Sequence, residues 1–205
     1  MLQRRTGLGL TVLLLTALAA IQGWAAGWPV TETEVIHYVP APPAAGSKDG
    51  RCWTTSIAIP RPDAWRCMVG NEIFDPCFSL ADGKSVECGS NPSKGKSGFR
   101  LNLTEPLPKP ENTAQAAAIV AKSGWWLVLA DGTSCTPATG TRAMIAGKMT
   151  TYYCESKQED GNTVLLGDLE TSSPVWQAEK AVLVPGPEGP ALQKLEKMPV
   201  RTVWQ

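Results

Sequence analysis

Six cysteines constrain this chain more than any other feature: Cys52, Cys67, Cys77, Cys88, Cys135 and Cys154, all downstream of an N-terminal segment that reads as an export signal. An even number of cysteines in an exported chain points to bridges rather than free thiols, and bridges favour a small, loop-rich, stapled fold. Six cysteines leave many connectivities open, and sequence does not choose among them. Pairing of neighbours (Cys52 with Cys67, Cys77 with Cys88, Cys135 with Cys154) is preferred because each bridge would close a short loop rich in turn residues. No Cys-x-x-Cys occurs and there is one histidine, so a zinc ribbon or a redox motif is not expected. No metal or cofactor is expected.

The export reading rests on three parts in order. Arg4 and Arg5 form a basic start, Leu8–Ile21 is an apolar stretch of 14 residues, and Gly23 and Ala25 are small residues spaced for cleavage. An apolar stretch of that length is shorter than the ~20 residues needed to span a bilayer. Residues 1–25 are therefore expected to be a cleaved signal peptide, leaving no stable membrane insertion. Removing both arginines leaves 17 basic against 19 acidic residues. A nearly neutral chain lacks the basic stripe of a nucleic-acid binder, so no nucleic-acid partner is expected. The expected location is secreted or periplasmic.

Residues 26–50 read as an N-terminal arm, in which 30–39 has the β-branched content of an edge strand, followed by a Pro/Ala-rich linker. Residues 51–205 then form the stapled domain. Strand-like runs are expected at 53–59, 98–103, 125–130, 149–154, 163–166, 175–184 and 200–204. Hairpin dipeptides stand at Asp82-Gly83, Asp131-Gly132 and Asp160-Gly161. One helix is expected from 114 to 122, capped by Asn112, ended at Gly124, and laying an alanine face on a sheet. The fold class is mainly β, a β-rich α+β arrangement: an antiparallel sheet or small barrel with one short helix and three disulfides. The hexads Leu80–Ser85 and Leu129–Ser134 share the pattern L-A-D-G-x-S, a recurrent strand–turn–strand followed by a cysteine in each case.

Catalytic motifs are sparse. Gly95-Lys96-Ser97 fails as a phosphate loop because the first glycine is misplaced and alternating strand residues follow. The one histidine, His37, lies in the arm and reads as a strand-surface residue. The segment from Arg61 to Ser79 is the densest in cysteines, aromatics and charges, and offers Trp65, Asn71, Glu72 and Asp75 as candidate binding residues on a disulfide-bounded loop. Trp125 and Trp126 are adjacent on an expected strand, so their rings should point to opposite faces, one of them outward. An exposed indole beside polar side chains is a platform for a sugar ring.

The runs Cys52–Ala58, Arg61–Asn71 and Asp75–Phe78, with Ala130–Cys135 and Tyr153-Cys154 later, resemble a domain found in uncharacterised bacterial secreted proteins. The resemblance covers about residues 51–205; it implies export and bridging and carries no catalytic residue. The leading expectation is an exported, non-enzymatic binding or interaction domain whose partner is an envelope glycan, taken through exposed tryptophan, or another extracytoplasmic protein. The alternatives are a secreted hydrolase using carboxylates or a Ser-Lys pair, and a secreted protein inhibitor.

Overall fold

A computed structural model describes residues 29–205 apart from 42, 44–45, 111–113, 156–161 and 188. The expected signal peptide, Trp28, the Asn112 cap and the Asp160-Gly161 turn lie outside the described residues. Among those described, no helix is long and apolar enough to cross a membrane.

The chain is β-rich and builds two strand assemblies in sequence. The first is a closed five-stranded barrel of β2 (Ser47–Thr55), β3 (Ala64–Val69), β4 (Glu72–Ser79), β5 (Ser85–Cys88) and β6 (Phe99–Leu103). It is an antiparallel meander that closes through the parallel pairing of β2 with β6, as an odd number of alternating strands requires. Its interior holds Trp65, Val86 and Leu101 with two disulfides, Cys52–Cys67 and Cys77–Cys88. Each bridge joins residues directly opposite on neighbouring strands. Strand β2 starts at Ser47, upstream of the boundary expected near Arg51, so the end of the presumed linker is a barrel strand.

The second assembly uses β7 (Trp126–Leu129), β8 (Ser134–Pro137), β9 (Met144–Ile145), β10 (Lys148–Cys154), β11 (Asn162–Glu170), β12 (Gln177–Gly186) and β13 (Gly189–Trp204). The pairing runs β13-β12-β11-β10-β8-β7 and returns through β7–β13, around a core of Leu127, Leu129, Tyr152, Leu165, Val200 and Val203. β1 (Glu34–Ile36), from the arm, lies parallel to the end of β13 as an edge strand. The third disulfide, Cys135–Cys154, again joins directly opposed residues, here on β8 and β10. All three bridges follow the neighbour pairing that the sequence favoured.

Both L-A-D-G hexads form the same turn. The amides of Gly83 and Gly132 donate to the carbonyls of Leu80 and Leu129, and each Asp carboxylate accepts from backbone two residues on. Their staples differ, however. Cys77–Cys88 ties the two arms of its own hairpin, whereas Cys135 on β8 bridges away from its hairpin partner β7, to β10 on the other side.

The helix α1 (Ala114–Val120) falls where it was expected but does not lay its alanine face on a sheet. Ala114, Ala117, Ala118 and Ala121 are exposed, and the helix rests through Ala116 and Val120 instead. Small side chains bury too little apolar surface to hold a two-turn helix down. Its last carbonyls are held by Gln205, whose amide donates to the Val120 and Ser123 oxygens at 2.6 and 3.0 Å.

The assemblies meet along an aromatic seam. Trp125 contacts Tyr38 and Phe78 at ring-centroid distances of 5.0 and 5.2 Å, with Ile59, Ala64, Val120 and Trp204 around them. Arg61 crosses the same seam: its guanidinium pairs with Asp63, stacks on Phe78 and donates to the Tyr38 and Gln205 carbonyls at 2.9 and 2.7 Å. One side chain thus ties the barrel to both ends of the second assembly.

Candidate functional site

Two irregularities in the barrel wall decide what faces the seam. On β4, Asp75 and Pro76 both stand opposite Arg66 of β3, a one-residue bulge. Proline has no amide for the ladder, and a bulge is where a strand tolerates it. The bulge re-aims Asp75 into the wall: its side chain is 2% exposed, pairs with the Arg66 guanidinium at 2.8 Å, and accepts from the Ser56 hydroxyl at 2.5 Å and the Ile57 and Ala58 amides. A carboxylate with four donors around it anchors structure and has little capacity left for a ligand. On β2, Trp53 is the extra residue opposite the β3 ladder, and this second bulge turns its ring outward. Trp53 is 39% exposed, with the Arg66 guanidinium 5.8 Å from its ring.

Beside that wall, where the barrel meets β7 and β8, lies a cleft of about 290 Å³. Its barrel side is Ile73, Phe74, Asp75, Pro76, Gly89 and Ser90. Across from them stand Trp125, Trp126, Thr136, Pro137 and Thr139. Arg66 closes one end by donating to the Thr139 carbonyl at 3.3 Å as well as to Asp75.

The indole nitrogens of Trp125 and Trp126 are buried and have no hydrogen-bond partner among the described residues. Native structures satisfy nearly all buried donors, and leaving one without an acceptor costs about 1–3 kcal/mol. The two indoles lie side by side, their rings packed edge to face at 5.9 Å. By contrast, the nearby indole of Trp65 donates to the Ser79 hydroxyl at 2.8 Å.

The sequence candidates are therefore divided. Asp75, Trp125 and Trp126 line one cleft. Trp65 does not: it is 3% exposed inside the barrel, which removes it as a ligand platform. Asn71 sits at the tip of the β3–β4 hairpin and Glu72 turns to Lys48 at 3.8 Å; neither lines the cleft. Of the two adjacent tryptophans, neither presents an open face. Trp125 is 3% exposed and Trp126 is half-buried. The expected alternation fails because β7 begins only at Trp126, and Trp125 belongs to the segment that enters it. That entry is tight, since a Cβ on Gly124 would come within 2.5 Å of Val203, and both rings end up in the seam.

Trp53, Ser90, Thr136 and Thr139 were missed from sequence. Trp53 could have been found only through the bulge, which strand alternation does not reveal. The hairpin itself had a signal, Gly70-Asn71 between Met68-Val69 and Ile73-Phe74, and Gly70 takes the left-handed φ of +56° that such a turn needs.

Three sulfurs, those of Cys67, Cys77 and Cys88, lie within 4.8 Å of one another. All three are consumed in the two barrel disulfides, so they stack as bridges and offer no thiolate to a metal. His37 is exposed just after β1, beside a separate groove of about 570 Å³ under α1.

Comparisons with protein-family models, with curated proteins and with solved structures give no significant match.

Proposed function

We propose that the protein is an exported extracytoplasmic binding module, and that the cleft between barrel and sheet takes an uncharged, hydroxyl-rich ligand of the envelope-glycan class. The observation that carries this reading is the pair of unpartnered indole donors, Trp125 Nε1 and Trp126 Nε1, on two residues that line the cleft. Indole nitrogens only donate, so the ligand atoms they select are acceptors: hydroxyl or ring oxygens, or an acetamido carbonyl. The hydroxyl-bearing side chains of Ser90, Thr136 and Thr139 add groups that donate and accept. Asp75 is saturated by Arg66 and the Ser56 loop, so no free charge in the cleft favours an ionic ligand. Trp53, outside the cleft on the same Arg66, offers a ring face on which a further sugar can stack.

Export is supported by the signal-like N-terminus and by three disulfides, which persist in oxidising compartments. Rigid walls suit such a site, because cross-strand bridges on either side of β3 and β4 lower the ordering cost of binding.

The test is to replace each ring by one that keeps its bulk and loses its donor. Trp126→Phe and Trp125→Phe are expected to weaken binding of soluble peptidoglycan fragments by about tenfold each, the worth of one net hydrogen bond. Wild-type affinity in both variants would remove the indole donors from the site.

A further inference from the structure

The hairpin of β12 and β13 leaves one strand edge open. On one side β13 is paired with β12 from Gly189 to Pro199; on the other, β7 joins it only from Val200. Between Gly189 and Met198 that second side has no strand partner among the described residues. Gly189–Leu195 are exposed throughout. An open edge is a template for another strand, and proteins usually blunt it with lysine, proline or a bulge. Here the blunting residues have an order of their own: Lys194, Leu195, Glu196.

We propose that this edge pairs with its own copy, antiparallel, about a two-fold axis through Leu195. In that register Lys194 stands opposite the second copy's Glu196 and Glu196 opposite the second copy's Lys194, so two equivalent ion pairs form and each copy supplies one half of each. Leu195, 45% exposed, meets the second copy's Leu195 on the face that already holds the buried Ala181 and Val164. Directly opposed charges of unlike sign stabilise a strand pair and like charges destabilise it. The neighbouring registers are worse: a slip of one residue one way opposes Lys194 to Lys197, and slips of two oppose Lys194 or Glu196 to itself. The same charges that discourage a foreign strand therefore select one self-pairing, and a two-fold contact is closed, so it stops at a dimer.

Two features keep the contact short. Gln193 is an extra residue in β13 opposite Val182-Leu183, a bulge that ends the straight run. Lys194 and Glu196 also pair within one chain at 2.8 Å, so dimer formation exchanges one ion pair in each copy for the two across the axis. The expected association is weak and concentration-dependent.

Sedimentation of the full chain across a concentration series tests this. Wild type should form a dimer, Lys194→Glu and Glu196→Lys should each abolish it by facing like charges, and the double exchange should restore it, with melting curves confirming the fold of each variant. Oxidised Leu195→Cys chains should crosslink through that position, a readout that does not depend on the charge variants folding. A wild-type chain monomeric at every concentration overturns the proposal. So does a dimer indifferent to both single exchanges, or a monomer that instead takes an added extended peptide along this edge.

Discussion

Asp75 reads in sequence as a candidate ligand residue and in space as an anchor, because the bulge it forms with Pro76 aims it at Arg66. Both partners are withdrawn from water, with side-chain exposures of 17% for Arg66 and 2% for Asp75. Removing one member of such a pair strands the other, so Asp75→Ala should destabilise the fold by about 3–5 kcal/mol in denaturant titration. Asp131 responds instead to acid. Burial raises its pKa, but the Lys180 ammonium and the Thr133 amide and hydroxyl outweigh that and hold it at about 2 against an ordinary 3.8. The folded carboxyl is thus the harder to protonate, and its contribution is full above pH 3.8 and lost as pH falls towards 2. Asp131→Asn should flatten the stability–pH profile across that window and lower stability at neutral pH, where the contribution is full. Tyr152 works from the other side. Burial lifts its hydroxyl from 10.0 to about 12, so the stability tied to its neutral form should decline as pH rises through that range, and Tyr152→Phe should remove the decline.

At the scale of elements, the bridges are cross-strand staples rather than loop closures. Cys77–Cys88 spans 11 residues and lies beside Cys52–Cys67 in the barrel core. Replacing Cys77 and Cys88 together by Ala should cost about 2–4 kcal/mol, read as a lower midpoint of unfolding. This is also where the sequence was most and least legible. The strands at Phe99–Leu103 and Lys148–Cys154 announce themselves by alternation, and both described Asp-Gly turns form. Strands β3 and β4 do not, because Pro76 and three charged residues between Ala64 and Ser79 mimic a loop, while bulges break the period that would reveal a strand. The first half of β13 is hidden for another reason: it is exposed on both faces and so carries no hydrophobic pattern.

The whole molecule is two strand assemblies joined by a seam of Tyr38, Phe78, Trp125 and Arg61, none of which sequence patterns place together. Tyr38 comes from the arm and also donates to the fully buried Glu87 at 2.8 Å, so the arm is part of the seam. Trp125→Ala should cost about 3–5 kcal/mol, since it empties the centre of that packing. Three of the six candidate binding residues line the cleft, for a reason sequence could not supply: the cleft exists only once barrel and sheet meet. We propose that the cleft binds through the indole donors of Trp125 and Trp126. The most direct test is to follow the indole N–H signals of nitrogen-15-labelled protein during titration with soluble peptidoglycan fragments, assigned through the single Trp→Phe variants. Saturable shifts are expected at Trp125 and Trp126, with the Trp65 signal held in place by Ser79. Shifts confined to other tryptophans, or none at saturating fragment, would contradict it.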